Sequence, residues 1–228
     1  MLYLISRMRL LKQKRNPLAI ILLFVFSPIL YWQLNRVGYL PPINYWLGKD
    51  NLNDNFTLSS LPTKLLNYQQ PIESLVTKSI DRSQTAILIE KSKYQLTLYY
   101  KNEAIKSYPI VLGSNPVGDK RREGDYKTPE GVFQVRDLYS HPTWSKFIWL
   151  DYPNRECWRK HLKAKSTGEI KFLDTVGSEI GIHGVPRNSD RLIDNRTNWT
   201  WGCISFKNKD VDEVYGVIQT GTKIEILP

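Results

Sequence analysis

Apolar residues change their spacing along this chain. Residues 18–34 (LAIILLFVFSPILYWQL) are almost continuously apolar, interrupted by Ser27, Pro28 and Gln33. Residues 36–83 scatter apolar positions among Asn, Pro, Ser and Gln. Within them Ile72, Leu75, Val76 and Ile80 share one face of a predicted short helix that begins at Pro71. From residue 86 onward β-branched and aromatic residues dominate, with short polar breaks between them. Strands are predicted at 86–90, 94–100, 105–112, 132–135, 147–150, 180–183 and 223–227. A long loop rich in Gly and Pro fills 113–131. Residues 154–165 (NRECWRKHLKAK) predict a basic helix. Val211, Val214, Tyr215 and Ile218 form a helical stripe behind Asp210 and Glu213, which resemble a capping box, with Gly221 placed for the C-cap.

These changes divide the chain into a basic tail at 1–16, an apolar segment at 17–35, a stem or linker at 36–83 and a domain at 84–228. The domain is predicted mainly β, a sandwich or barrel with one or two helices. The formal charge is +10, and residues 1–35 hold Arg7, Arg9, Lys12, Lys14 and Arg15 with no acid. Half of the excess therefore sits on the tail, where it needs no nucleic acid to explain it. A basic flank before an apolar run favours an uncleaved membrane-spanning helix, with the domain outside the cytoplasm. The competing readings are a cleaved signal, which lacks an A-x-A site, and a buried core helix.

Two cysteines, Cys157 and Cys203, cannot build a disulfide framework. Cys203 stands in Asn198-Trp199-Thr200-Trp201-Gly202-Cys203-Ile204-Ser205. A glycine before it lets the backbone approach a bound group closely. The amides of Gly202 and Cys203 could then point at one oxygen, as an oxyanion hole requires. Upstream, Ile180-Gly181-Ile182-His183-Gly184 reads as a buried strand ending in a histidine. A thiol is mostly protonated at pH 7, and an imidazole can take that proton and return it to a leaving amine. Cys203 and His183 are the best-placed pair for nucleophilic acyl transfer. No metal and no cofactor is expected. A zinc site from Cys157, His161, His183 and Cys203 lacks the usual knuckle spacing, and a Cys157–Cys203 disulfide would block the nucleophile.

His183-Gly184 followed by Thr200-x-Gly202-Cys203 resembles the signature of L,D-transpeptidases with a YkuD-type catalytic domain. Residues 112–120 (LGSNPVGDK) and 123–131 (EGDYKTPEG) resemble that family's Gly- and Pro-rich segment, and Asn208-x-Asp210 with Gly221-Thr222-x-Ile224 its C-terminal end. The resemblance implies a β-rich fold acting on peptidoglycan stem peptides, with Cys203 as nucleophile and His183 as base and then acid. It implies that the Gly184 carbonyl fixes the imidazole, that the Gly202 and Cys203 amides hold the oxyanion, and that Thr200 and Ser205 lie near the substrate. Many members carry His where this chain has Trp201, and Arg where it has Ser205. The Trp201 amide survives that change; its ring either packs on a substrate or anchors the core. The cations of the 154–165 helix either overlie the cleft or form a solvated face. A sortase-like protein-anchoring enzyme is the nearest alternative, though no Arg follows Cys203. A peptidoglycan-binding module that has lost turnover is another.

Overall fold

The computed structural model describes residues 17–48, 58–59, 64–76 and 79–228, with 17–26 described through the backbone alone. Eight strands make one sheet: β1 (Thr85–Glu90), β2 (Gln95–Tyr100), β3 (Glu103–Pro109), β4 (Gly131–His141), β5 (Ser145–Leu150), β6 (Gly181–His183), β7 (Ile204–Ser205) and β8 (Lys223–Leu227). Their order is β3-β2-β1-β8-β4-β5-β6-β7. The pairs β1–β8 and β6–β7 are parallel, and the remaining pairs are antiparallel.

The sheet curls until its ends meet. Past β3 the chain reaches Val111, whose N–H and C=O bond to Ser205 of β7 at 2.8 and 2.9 Å. The edge of β7 is thereby paired at Ser205, which an exposed strand edge needs. Ile87, Ile89, Leu96, Leu98, Phe133, Ile148, Ile182, Ile204 and Ile224 fill the curl as one continuous core. The predicted mainly-β architecture with few helices is the architecture observed.

Among the described residues six α-helices decorate it: α1 (Pro17–Arg36), α2 (Ile43–Leu47), α3 (Ile72–Leu75), α4 (Arg155–Ser166), α5 (Arg191–Asp194) and α6 (Asn208–Val217). Asn154 caps α4 by accepting from the Cys157 amide at 3.2 Å, and α4 buries Cys157, Trp158, His161 and Ala164. In three places the structure departs from the pattern. The C-cap of α6 is Ile218, so Gly221 lies beyond the helix and not at its cap. The helix predicted at 71–80 is a single turn. Neither carboxylate of the apparent capping box caps α6, which starts two residues earlier than Asp210. Asp210 accepts from Tyr68 Oη at 2.9 Å. Glu213 takes Lys106 Nζ at 2.7 Å, Tyr108 Oη at 3.0 Å and the Ile72 amide at 2.9 Å. A buried ammonium binds a carboxylate more strongly than a helix amide does, so the local motif yields.

Where residues 36–83 are described, they lie along the domain. The Leu58 amide donates to Glu225 at 3.1 Å, Ile72 joins the main core, and the Val176 amide donates to the Gly38 carbonyl at 3.2 Å. Among the described residues no helix is long and apolar enough to cross a membrane. The basic tail at 1–16, and the side chains over the first ten residues of the predicted span, fall outside the described residues.

Candidate active site

β6 lies between β5 and β7, in parallel register with β7 through Ile182↔Ile204 and His183↔Ser205. Cys203 immediately precedes β7, so it runs beside Gly181. Side chains two apart on a strand share a face. Cys203 and His183 are therefore diagonal neighbours on adjacent strands, facing the same side.

The turn before Cys203 is held from within. Thr200 Oγ1 donates to the Cys203 carbonyl at 2.6 Å and accepts from the Gly202 amide at 3.2 Å. Gly202 has φ +136°, and a Cβ there would lie 2.7 Å from the Lys127 carbonyl. Only glycine fits that conformation and that approach. Lys127 belongs to the 113–131 loop, which packs on this turn and bonds it through Ser114 N to Thr200 O at 2.9 Å.

Ion pairs brace the loop. Lys91 Nζ reaches Gly118 O at 2.6 Å and Glu130 at 2.7 Å, and Lys120 Nζ reaches Asp125 at 2.8 Å. Asp125 also accepts from the amides of Arg121, Arg122 and Lys127. From α4, Lys160 Nζ reaches Asp119 at 2.7 Å and Glu130 O at 2.8 Å. Of the helix cations, Lys160 thus braces this loop, while Arg159 pairs with Glu156 on its own helix.

His183 is buried, with Nδ1 2.7 Å from the Gly184 carbonyl. A carbonyl can only accept, so Nδ1 carries the proton and Nε2 keeps its lone pair. The buried Ser205 hydroxyl donates to the same carbonyl at 3.1 Å. Gly184 has no room for a side chain: a Cβ would meet Asn208 Oδ1 and, at 2.5 Å, Trp144 O. Three aromatic rings surround the imidazole, those of Trp144 at 4.3 Å, Trp199 at 5.5 Å and Phe147 at 5.7 Å between centroids.

Burial pushes the Cys203 thiol up to about 11, although a hydrogen bond from the Gly181 backbone and the charge of Lys120 pull the other way. Burial draws His183 down to about 4, partly offset by the Gly184 carbonyl and reinforced by His141. Both shifts favour neutral partners. The thiol donates to the Glu179 carbonyl at 3.5 Å. A resting ion pair between sulfur and ring is not what this environment favours.

The predicted residues Cys203, His183, Gly184, Gly202, Trp201, Thr200 and Ser205 all lie around the β6–β7 junction. Three of them differ from expectation. Thr200 and Ser205 are buried and serve the backbone, Thr200 within the turn and Ser205 at Gly184 O, so neither offers a substrate surface. The Gly202 amide, expected to face the oxyanion, instead donates to Thr200 Oγ1. Trp201 is 81% exposed and meets Tyr126 edge to face at 6.5 Å, so it is no core anchor. Cys157 and Cys203 are both free thiols. Among the described residues, no group of three or more His, Cys, Asp or Glu is placed to hold a metal. Sequence reasoning missed Trp144 and Phe147, which reach His183 from the next strand pair and leave no local signal.

The model of the YkuD L,D-transpeptidase catalytic domain matches residues 84–226. The Escherichia coli (strain K12) protein YafK, whose name carries a provisional L,D-transpeptidase assignment, is 26% identical over 151 residues, covering 64% of this chain and 51% of that protein. The chain thus spans about half the length of that relative. Among solved structures, Bd1075 of Bdellovibrio bacteriovorus is 25% identical, with a TM-score of 0.46 over 73% of this chain and 53% of that one. The helical cell shape determining protein Pgp2 from Campylobacter jejuni is 25% identical, with a TM-score of 0.45 over 68% of this chain and 53% of that one. Since the matched span takes in most of the chain, with both the His183 strand and the Cys203 turn, the chain belongs to the family of L,D-transpeptidases with the YkuD catalytic domain.

Proposed function

We propose that this chain is a peptidoglycan L,D-transpeptidase that works through a Cys203 thioester. The Cys203 S–H proton passes to His183 Nε2 as sulfur attacks the carbonyl of the third stem-peptide residue. The two groups start neutral, so the proton moves with the attack rather than before it. The amides of Cys203 and Trp201 take the tetrahedral oxyanion. Collapse breaks the peptide bond to the terminal D-alanine, whose amine receives the proton from Nε2. An acceptor amine, or water, then gives its proton to Nε2, attacks the thioester and frees the thiol.

The observation that carries this reading is the Nδ1–Gly184 carbonyl bond of 2.7 Å beside the Cys203 turn. It fixes the tautomer that leaves Nε2 as base. Binding alone would not require that arrangement. The apolar run at 18–34, with its leading cations, supports a domain held at a membrane and facing the wall outside the cytoplasm.

The test is incubation of the chain with purified peptidoglycan, followed by product masses and by the mass of the Cys203 peptide. Loss of D-alanine and an acyl adduct on Cys203 are expected, with cross-linked products showing an amine acceptor and trimmed stems showing water. Identical products from a Cys203→Ala variant, or none from the parent chain, would end the proposal.

A further inference from the structure

The tip of the β4–β5 hairpin makes a second set of contacts to the catalytic histidine. β4 ends at His141 and β5 begins at Ser145, so Pro142, Thr143 and Trp144 form the turn. His141 Nδ1 accepts from the amides of Thr143 and Trp144, each at 3.2 Å. The turn is thus wired to the His141 ring. The Trp144 indole stacks against two imidazoles at once: His141 at 4.3 Å and 10°, and His183 at 4.3 Å and 24°. Its carbonyl accepts from the Gly184 amide at 3.0 Å. The hairpin tip therefore grips His183 by ring and its neighbour by backbone.

The charge balance at His183 gives this grip a purpose. Accepting the thiol proton makes the ring cationic inside a buried site. Burial opposes that charge most, the Gly184 carbonyl favours it, and His141 opposes it. An aromatic face also attracts a cation, and of the three rings around His183 that of Trp144 lies nearest, at 4.3 Å between centroids.

We propose that Trp144, held in place by His141, is a positioning residue for acyl transfer: it sets the plane of the His183 ring and presents its π face to the imidazolium formed during attack. The inference rests on the Cys203–His183 pairing of the proposed function and adds the device that makes His183 competent.

The test compares Trp144→Leu, Trp144→Phe and His141→Leu in the full chain. Two readouts are taken: kcat and KM on peptidoglycan, and the rate of iodoacetamide alkylation read at the Cys203 peptide. Trp144→Leu should lower both kcat and alkylation roughly tenfold or more, with KM within about threefold, because a misplaced base loses the transition state and not the substrate. Trp144→Phe, which keeps an aromatic face, should restore most of both rates. His141→Leu should shift them the same way by a few-fold. Trp144→Leu rates within twofold of the parent would overturn the proposal. So would a raised KM with unchanged alkylation, which would make Trp144 a substrate contact. If Trp144→Leu fails to fold, unchanged rates in His141→Leu overturn it instead. Alkylation needs no stem peptide. A chain inert on peptidoglycan but with this alkylation pattern would sink the proposed function and leave the ring stack standing.

Discussion

The two cysteines meet nearly the same chemistry with opposite prospects. Cys157 lies in the first turn of α4. One turn on stands His161, with Nδ1 2.6 Å from the Arg121 carbonyl. Cys203 follows a glycine turn beside His183, with Nδ1 2.7 Å from the Gly184 carbonyl. Burial pushes the two thiols up to about 12 and about 11, and draws both imidazoles down. Neither acidity nor the presence of a carbonyl-held imidazole separates them. Access does: Cys157 is 7% exposed within the main core, whereas Cys203 is partly open. What separates these two thiols is what can reach them.

The largest effect that would break this comparison is on turnover. Cys203→Ala should lower kcat/KM on peptidoglycan by about a thousandfold or more, the scale of losing a covalent nucleophile. Cys157→Ala should leave it within about threefold. Equal losses in the two variants would mean that access does not distinguish the sites.

Sequence reading separated the two thiols for local reasons. Gly202-Cys203 and Gly181-x-His183-Gly184 signal close backbone approach and a strand end, and both features depend on neighbours in the chain. The strands were legible because β-branched residues cluster in short runs. What stayed hidden depends on partners far along the chain. Glu213 and Asp210 read as a helix cap until Lys106 and Tyr68, more than a hundred residues away, claim them. Ser205 reads as a substrate contact until the parallel register of β6 and β7 turns it inward to Gly184 O. His141 and Trp144 carry no signal in the chain, because no spacing rule announces that a hairpin tip will stack on the His183 ring.

Alkylation against pH sharpens the comparison at the level of the resting site. In a His183→Ala variant, where no imidazole takes the proton, the Cys203 thiol pushed up to about 11 should show an iodoacetamide rate that climbs about tenfold per pH unit from pH 7 to 10, tracking the thiolate fraction. A thiol of ordinary acidity would instead level off near pH 9. Cys157 should stay unmodified until denaturant opens the core. A plateau at Cys203, or equal labelling of both cysteines in the native chain, would contradict the environments described for them.

The smallest effect concerns stability, and Cys157 carries it. Replacing its buried side chain by Ala leaves a small void, worth about 1 kcal/mol of lost stability at pH 7. The thiol is also raised from an ordinary value of 9.0 to about 12 in the fold. A group raised on folding stabilises fully below its unfolded value, and that contribution is lost as pH rises toward the folded one. Between pH 9 and 10.5 the unfolded chain ionises Cys157 while the native chain does not, which costs the parent about 1–2 kcal/mol that the variant never carries. The Cys203 contribution is common to both and cancels. Urea denaturation should therefore show the variant weaker at pH 7 and the two chains converging near pH 10. A difference that stays constant over that range would mean that Cys157 ionises as easily in the fold as out of it, and the contrast with Cys203 would then lose its physical basis.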